Sequence, residues 1–184
     1  MSTSHSEYKI RPAVLDDAAQ LVSIYAPYVE NTPITFEYVV PSTQEFAERI
    51  RHTLSRYPYL VAEKDGVPAG YAYASAFKGR AAYDWSVETS IYVSRDLRGC
   101  GAGSLLYDHL ESCLARQNVC NVCACITYPN PGSIAFHEKY GYKTVAHFHA
   151  SGYKQGKWYD MVWMEKTLCP HELPPKPFIP FPDL

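Results

Sequence analysis

The chain has 184 residues, of which 47% are hydrophobic, and its formal net charge at pH 7 is -2. This length and composition suit one globular domain with a sizeable core, and the near-neutral charge argues against a nucleic-acid or anionic-membrane partner. No stretch approaches the roughly 20 apolar residues that span a bilayer. Residues 1–7 lack the apolar segment of a secretory signal, and we expect them to be disordered. The sequence therefore predicts a cytoplasmic protein that acts on a small molecule, without nucleic acid or membrane.

The first half of the chain predicts a strand, two helices and a hairpin. Ser42-x-x-Glu45 is a capping-box sequence, which is typical of a helix start. Asp16 or Asp17 is placed to cap or charge the start of the helix before it. Asp65-Gly66 is typical of a tight hairpin turn. The predicted strands are 8–13, 59–63 and 67–76, and the predicted helices are 15–29 and 42–57.

The second half predicts alternating strands and helices that end in another hairpin. Gly141 is placed to end the last helix as the residue after its C-cap. The predicted strands are 87–93, 119–127, 142–153 and 158–165, and the predicted helices are 103–116 and 131–140. This order, with hairpins and two parallel-type crossovers, indicates a mixed α/β (α+β) fold.

The last 16 residues, 169–184, form a proline-rich segment that we expect to be an extended tail, separate from a domain at residues 8–168. Phe178, Ile179 and Phe181 would be costly to leave in water. We expect them to cover a surface, of which a partner subunit is one candidate.

Six cysteines occur in the sequence, and without a secretory signal we expect free thiols. Cys120-x-x-Cys123-x-Cys125 raises the question of a metal site. It lacks a second Cys/His pair at zinc-finger spacing and falls within a predicted strand. The sequence therefore predicts buried small side chains here and no metal.

A glycine-rich turn at residues 93–104 links a predicted strand to a predicted helix. Such a turn directs backbone N–H groups and the positive end of the helix dipole toward one point, where a phosphate binds well. A dinucleotide fingerprint would need glycine at Ser104 and an acidic residue near Cys123, and a P-loop would need a lysine after Gly103. A purely structural turn is the remaining alternative to a phosphate site.

Arg98-x-x-Gly101-x-Gly103 resembles the cofactor signature of the GNAT acyltransferases, which bind the pyrophosphate of acetyl-CoA. Further segments resemble the phosphinothricin N-acetyltransferase group of that family, over about residues 8–182. They are 83–88, 90–93, Asn130 with Ser133, 137–142 and the Pro-Pro-Lys-Pro of the tail.

The resemblance implies the GNAT fold, a mixed, mostly antiparallel sheet with helices on both faces and a splayed pair of parallel strands. The splayed pair would be residues 87–93 and 119–127, with acetyl-CoA, the co-substrate, between them. The residues implied to contact it are Ile91, Tyr92, Val93, Arg98, Gly99, Cys100, Gly101, Ala102, Gly103, Ser104, Asn130, Ser133 and His137.

Acetyl transfer to an amine needs a base, a polarised carbonyl and a proton for the departing thiolate. Glu88 is the expected base, because partial burial would raise its pKa and it matches the base proposed for the family. His137 is expected to contact the cofactor or to move a proton. The backbone N–H of Tyr92 is the expected donor to the carbonyl oxygen, and Tyr140 and Tyr142 are rival donors to the thiolate.

An amino-acid substrate with a carboxylate and a second anionic group needs cations. Lys78 and Arg80 lie in a predicted loop and fit this need, although a solvated basic loop is the alternative. Phe36 and Tyr83 are the expected apolar wall around the substrate.

The expected activity is direct acetylation of the α-amine of a small amino-acid analogue, of the phosphinothricin or methionine sulfoximine and sulfone type. The resemblance also implies a homodimer and a role in herbicide or antibiotic resistance. Two alternatives stay open, namely a protein or peptide N-acetyltransferase and a CoA-binding sensor without turnover.

Overall fold

The computed structural model describes residues 8–184, so the predicted disorder at residues 1–7 lies outside it. The helices are α1 Ala18–Asn31, α2 Thr43–Leu54, α3 Ala102–Arg116 and α4 Pro131–Lys139. The strands are β1 Lys9–Pro12, β2 Tyr59–Lys64, β3 Val67–Ala76, β4 Ser86–Val93, β5 Asn121–Tyr128, β6 Lys143–Lys154 and β7 Lys157–Thr167. Over residues 8–184, every helix is too short or too polar to cross a bilayer.

All seven strands form one sheet in the order β1-β2-β3-β4-β5-β7-β6. Only the β4–β5 pair is parallel among the described strands, and α3 makes the crossover between them. Helix α4 makes the second crossover, from β5 to β6, and β7 then inserts between those two strands. The predicted mixed, mostly antiparallel fold is confirmed.

Helices cover both faces of the sheet, as predicted. On one face, Leu21 of α1 and Ile50 of α2 are fully buried against the sheet. On the other face, Leu106 and Leu110 of α3 are fully buried, and Phe136 of α4 packs at the edge of the same core. Burial of such side chains stabilises the fold by about 1.5–3 kcal/mol each relative to exposure.

Most predicted starts and stops of the elements are confirmed. The Ser42 hydroxyl accepts a hydrogen bond from the Glu45 N–H at 3.1 Å and caps α2. Gly141 ends α4 with a φ of 86°. The prediction for α1 is confirmed in part, because Asp17 occupies the N-cap position, but its carboxylate binds Arg11 at 2.7 Å and makes no cap hydrogen bond to the helix.

The apolar residues of the tail cover a surface of their own chain, as expected for one of the two candidate surfaces, and they give no evidence for a partner subunit. The Phe178 ring lies 5.6 Å from the Tyr57 ring, centroid to centroid, and Phe181 packs against the α3 core. The Ile179 N–H donates to the Gln117 carbonyl at 3.1 Å. Phe178, Ile179 and Phe181 are therefore partly buried against their own chain.

The cysteines are free thiols and are not gathered by the Cys120-x-x-Cys123-x-Cys125 spacing. Cys123 and Cys125 lie two residues apart on β5 and share one face of the sheet, whereas Cys120 precedes the strand and points away from them. Cys120 instead approaches Cys169 of the tail, with their sulfurs 3.5 Å apart, and burial raises the pKa of the Cys120 thiol to about 11.

Candidate active site

The parallel strands β4 and β5 pair over only part of their length. Their register pairs are Ser86 with Asn121, Val87 with Val122 and Glu88 with Cys123. Both strands continue five residues further, to Val93 and Tyr128, without pairing to each other. The strands therefore splay apart beyond Glu88, which lies at the apex of the opening.

The register of β4 on β3 decides which backbone groups enter the opening. The Phe77 N–H donates to the Ser86 carbonyl, and the Ser94 N–H donates to the Ala69 carbonyl, at the two ends of an uninterrupted ladder. Because hydrogen-bonded pairs alternate in an antiparallel ladder, even-numbered residues of β4 bond to β3. The backbone groups of Ile91 and Val93 therefore face the opening.

This alternation overturns one prediction. The N–H of Tyr92 points to Tyr71 on β3, so it is not available as a donor to a carbonyl in the opening. Tyr28 on α1 confirms the direction of the odd-numbered residues, because its hydroxyl donates to the Val93 carbonyl at 2.5 Å. The Ile91 N–H is one of the donors that this ladder leaves facing the cleft.

A cleft of about 690 Å³ occupies the mouth of the opening. The glycine turn forms one wall, where Gly99 and Gly101 adopt positive φ values of 77° and 91°. A Cβ on Gly103 would lie 3.6 Å from the Ile91 side chain, so helix α3 starts close to β4. The predicted cofactor residues that line the cleft are Ile91, Val93, Arg98, Gly99, Gly101, Gly103, Ser104, Asn130 and Ser133.

Two members of the predicted turn do not line this cleft. Cys100 is exposed, and Ala102 is buried as the first residue of α3. Gly101 precedes α3 without a side-chain cap, so the first N–H groups of the helix are available to a ligand.

Arg98 supplies the positive charge at the mouth. Its guanidinium lies over the Tyr28 ring, 5.1 Å from the centroid. Tyr28 is itself buried and bonded to Val93. The arginine is therefore oriented by α1 beside the N-terminus of α3, where charge and helix dipole both favour an anion.

The opposite wall is the start of α4. The Asn130 carboxamide oxygen accepts a hydrogen bond from the Ser133 N–H at 3.2 Å and caps the helix. This cap holds Asn130 and Ser133, both expected to contact the cofactor, at the rim of the cleft.

His137 lies at the inner end of the opening and is 3% exposed. Its Nδ1 lies 2.8 Å from the Ser133 carbonyl, which can only accept, so Nδ1 carries the proton. Its Nε2 then accepts a hydrogen bond from the Tyr107 hydroxyl at 2.7 Å. Burial lowers the pKa of His137, so the ring is neutral and fully bonded. The geometry gives no support to the expected proton-transfer role.

Glu88 is half-buried, and burial raises the pKa of its carboxyl, while the nearby Lys78 ammonium opposes the rise. Lys78 is held against the rings of Phe77 and Trp163, at 5.1 and 5.9 Å from their centroids. Among the residues predicted to bind substrate, Lys78 is therefore placed beside the candidate base.

The other three residues predicted to bind substrate do not gather around Glu88 in the same way. Tyr83 is 40% exposed and packs edge-on against Phe77, and Arg80 is exposed in the same loop. Phe36 packs instead on Gly152 of β6, where an added Cβ would lie 2.3 Å from its ring.

Tyr140 and Tyr142, the two alternative proton donors expected for the thiolate, lie in different surroundings. The Tyr140 hydroxyl donates to the Ser104 carbonyl at 2.7 Å, which places it at the base of the glycine turn. The Tyr142 side chain is buried in the α3 core, and its hydroxyl has no hydrogen-bond partner among residues 8–184. Only Tyr140 lies near the cleft wall.

Sequence reasoning missed a tyrosine-lined cavity of about 200 Å³ between helices α1 and α2 and the sheet. The sequence does contain a pattern that indicates it. Tyr71 and Tyr73 are two residues apart on β3, so they share a face of the sheet, and both stack on Tyr59 of β2. The cavity shares its sheet face with Glu88, since β4 alternates Glu88 and Tyr92 onto that side. Its tyrosines are Tyr25, Tyr59, Tyr71, Tyr73 and Tyr92.

The family described as "Acetyltransferase (GNAT) domain" matches residues 10–163. The chain belongs to the GNAT acetyltransferase family. Its GNAT relatives include a phosphinothricin N-acetyltransferase of Streptomyces viridochromogenes, 39% identical over 98% of both chains. An L-methionine sulfoximine/L-methionine sulfone acetyltransferase of Salmonella typhimurium is 30% identical over 90% of this chain and 97% of that protein.

Solved GNAT structures agree. The phosphinothricin acetyltransferase of Sinorhizobium meliloti, in complex with acetyl-CoA, is 35% identical and superposes with a TM-score of 0.87 over 96% of each chain. The Salmonella typhimurium acetyltransferase yncA with acetyl-CoA is 30% identical, with a TM-score of 0.85 over 91% of this chain and 97% of that one. The predicted GNAT resemblance and fold are confirmed.

The bonding around His137 predicts the effect of removing one hydroxyl. Tyr107→Phe leaves the buried Nε2 of His137 without its donor, and we expect it to lower the free energy of unfolding by about 1–3 kcal/mol. Tyr142→Phe is the matched control, and we expect a smaller loss, because no bond is broken. Urea denaturation monitored by circular dichroism measures both, and equal losses would contradict the assigned hydrogen bond.

Proposed function

We propose that the chain is an acetyl-CoA-dependent N-acetyltransferase that acetylates the α-amine of a small amino-acid analogue. The observation that carries the proposal is the position of Glu88, where β4–β5 pairing ends. The opening runs from there to a turn that carries Arg98 and the N-terminus of α3. A carrier with phosphates at one end and an acyl group at the other fits that polarity.

The residues of the cleft fit acetyl-CoA. Gly99, Gly101 and Arg98 would hold its pyrophosphate, and the backbone groups of Ile91 and Val93 would pair with its amide-bearing arm. Acetyl-CoA supplies the activated acetyl group. The Ile91 N–H faces the opening and is our candidate donor to the acyl carbonyl, in place of Tyr92.

Glu88 would take a proton from the ammonium of the acceptor, which must lose it to attack. A raised pKa makes this carboxylate a stronger base than an ordinary glutamate, and the nearby Lys78 ammonium limits that rise. Attack by the amine is direct in this proposal. Cys125 lines the opening, but burial raises the pKa of its thiol to about 12, so little thiolate is available as a nucleophile.

We propose amino-acid analogues of the phosphinothricin or methionine sulfoximine type as acceptors. Lys78 lies beside Glu88, and Arg80 follows in the same exposed loop, so two cations are available to acidic groups of the acceptor. Tyr83 would add an apolar wall. The names of the Streptomyces and Salmonella relatives support this class. Acetylation of a toxic analogue would confer resistance.

A cytoplasmic homodimer is part of the proposal. The tail gives it no support, but β6 and β7 expose four large apolar side chains, which are costly to leave in water. Light scattering would give twice the chain mass of 20.8 kDa for a dimer. The exposed residues are Val145, Phe148, Tyr153 and Trp158.

Arg98→Ala tests the phosphate site. Loss of a charge-assisted contact costs about 1.5–3 kcal/mol, so we expect the KM for acetyl-CoA to rise about 10- to 100-fold with a smaller change in kcat. Arg95→Ala, three residues earlier and outside the cleft lining, is the matched control. Steady-state kinetics measure both, and an unchanged KM in Arg98→Ala would remove the arginine from the site.

Glu88→Gln tests the base. We expect kcat to fall about 10²- to 10⁴-fold while calorimetry shows acetyl-CoA still binding. In the unmodified enzyme kcat/KM should fall as pH drops through the raised pKa of Glu88, above the ordinary glutamate range, and this limb should vanish in the variant. Glu138→Gln, an exposed carboxylate on α4, is the control. Unchanged kcat in Glu88→Gln would rule out the assigned role.

A panel of acceptors assayed for CoA release tests the substrate class. We expect free amino-acid analogues with a second acidic or tetrahedral group to react faster than peptides. Arg80→Ala should raise the acceptor KM about tenfold or more and leave the KM for acetyl-CoA unchanged. Lys143→Ala, exposed on β6, serves as the control. Faster turnover of peptides would favour the protein N-acetyltransferase alternative.

A further inference from the structure

Three side chains outside the active site converge on the outer strands of the sheet. They are His147 and His149 of β6 and Asp160 of β7, and one ligand atom from each lies within 4.8 Å of the other two. The Asp160 Oδ2 lies 2.8 Å from His147 Nε2 and 3.0 Å from His149 Nδ1. Both imidazoles therefore point at the same carboxylate oxygen, His147 through Nε2 and His149 through Nδ1.

An irregularity in β6 builds this arrangement. Phe148 pairs with Met161 and Gly152 with Tyr159, so three residues of β6 oppose the single Asp160 of β7. Ala150 lies in this bulge with a φ of 48°, which is uncommon for a residue other than glycine.

The bulge also fixes the carboxylate. The Ala150 N–H donates to the Asp160 Oδ1 at 2.8 Å, which leaves Oδ2 directed at the two histidines. An outer hydrogen bond that orients a ligand atom is the usual companion of a metal ligand in proteins.

We propose that His147, His149 and Asp160 bind one divalent transition-metal ion of the zinc type. Two imidazoles and one carboxylate suit Zn²⁺ and its neighbours, whereas Mg²⁺ and Ca²⁺ prefer oxygen ligands. The ion takes Nε2 of His147, Nδ1 of His149 and one carboxylate oxygen, and water completes its coordination.

The two N···O distances need only a small adjustment. Tetrahedral Zn²⁺ with bonds of about 2.0–2.2 Å places its ligand atoms about 3.3–3.5 Å apart. The two N···O distances are 2.8 and 3.0 Å, so the histidines must move by about 0.5 Å. The His149 side chain is 79% exposed and can make this movement without repacking the core.

The site adjoins the last residue of β5. Asp160 is the register partner of Tyr128, whose ring lies 4.8 Å from the His147 ring. Two residues later Asn130 caps α4. A bound ion therefore ties β6 to β7 next to this turn and stabilises the fold, without a role in the chemistry at Glu88.

Isothermal titration with ZnCl₂ on EDTA-treated, dialysed protein tests the inference. We expect one site per chain, a Tm that rises by several degrees when Zn²⁺ is present at about 100 times its Kd, and at least tenfold weaker binding in His149→Gln and Asp160→Asn. His109→Gln, an exposed histidine on α3, is the matched control and should bind as the unmodified chain does.

Titration with Co²⁺ in place of Zn²⁺ distinguishes binding at this histidine site from binding at the cysteine thiols. Binding at the histidines gives d–d absorption without the near-ultraviolet thiolate band, and the spectrum should be lost in His149→Gln. Binding that persists in His149→Gln, a thiolate band, or no uptake of either ion overturns the proposal. The acetyltransferase assay is not needed for any of these outcomes, so failure here leaves the proposed function untouched.

Discussion

The structure depends on a parallel ladder that stops after three residue pairs. Backbone groups inside a protein are nearly always paired, so an opening between two central strands leaves donors and acceptors that need a partner. One of these acceptors, the Val93 carbonyl, already has a partner, because the Tyr28 hydroxyl donates a hydrogen bond to it. The segment that follows α1 borders this opening, because its Ile34 lines it and its Pro33 carbonyl accepts a hydrogen bond from the Thr127 hydroxyl.

The same opening sets the electrical polarity of the site. Its mouth carries the N-terminus of α3 and Arg98, and its apex carries Glu88. The fold fixes both ends, because the end of β4 leads into the glycine turn and the start of β4 pairs with β5. This polarity favours a ligand that places a phosphorylated end at the mouth and directs its other end toward the carboxylate.

Local signals in the sequence were sufficient for the elements and for the mouth of the site. The Ser42 cap, the Asp65-Gly66 turn and the glycine turn each act within a few residues, and the structure confirms them. The direction of the Tyr92 N–H does not follow from such a local signal, because it depends on the register of β4 against β3. One residue of register decides it, and the sequence of β4 alone does not contain that information.

Contacts between residues distant in sequence also explain the other differences between the sequence predictions and the structure. The tail residue Ile179 bonds to Gln117, 62 positions away, so its apolar composition could not distinguish its own chain from a partner. The His147, His149 and Asp160 cluster arises from a bulge that only the pairing of β6 with β7 reveals.

Burial then explains why one of two titratable groups in the opening is the better base. Desolvation favours the neutral form of both, which raises the pKa of Glu88 and lowers that of His137. The lone pair of neutral His137 is already occupied by the Tyr107 hydroxyl, and its proton by the Ser133 carbonyl. The Lys78 ammonium near Glu88 favours the charged carboxylate and limits the rise of its pKa. In the proposed mechanism, Glu88 is therefore better suited than His137 to remove a proton from an ammonium.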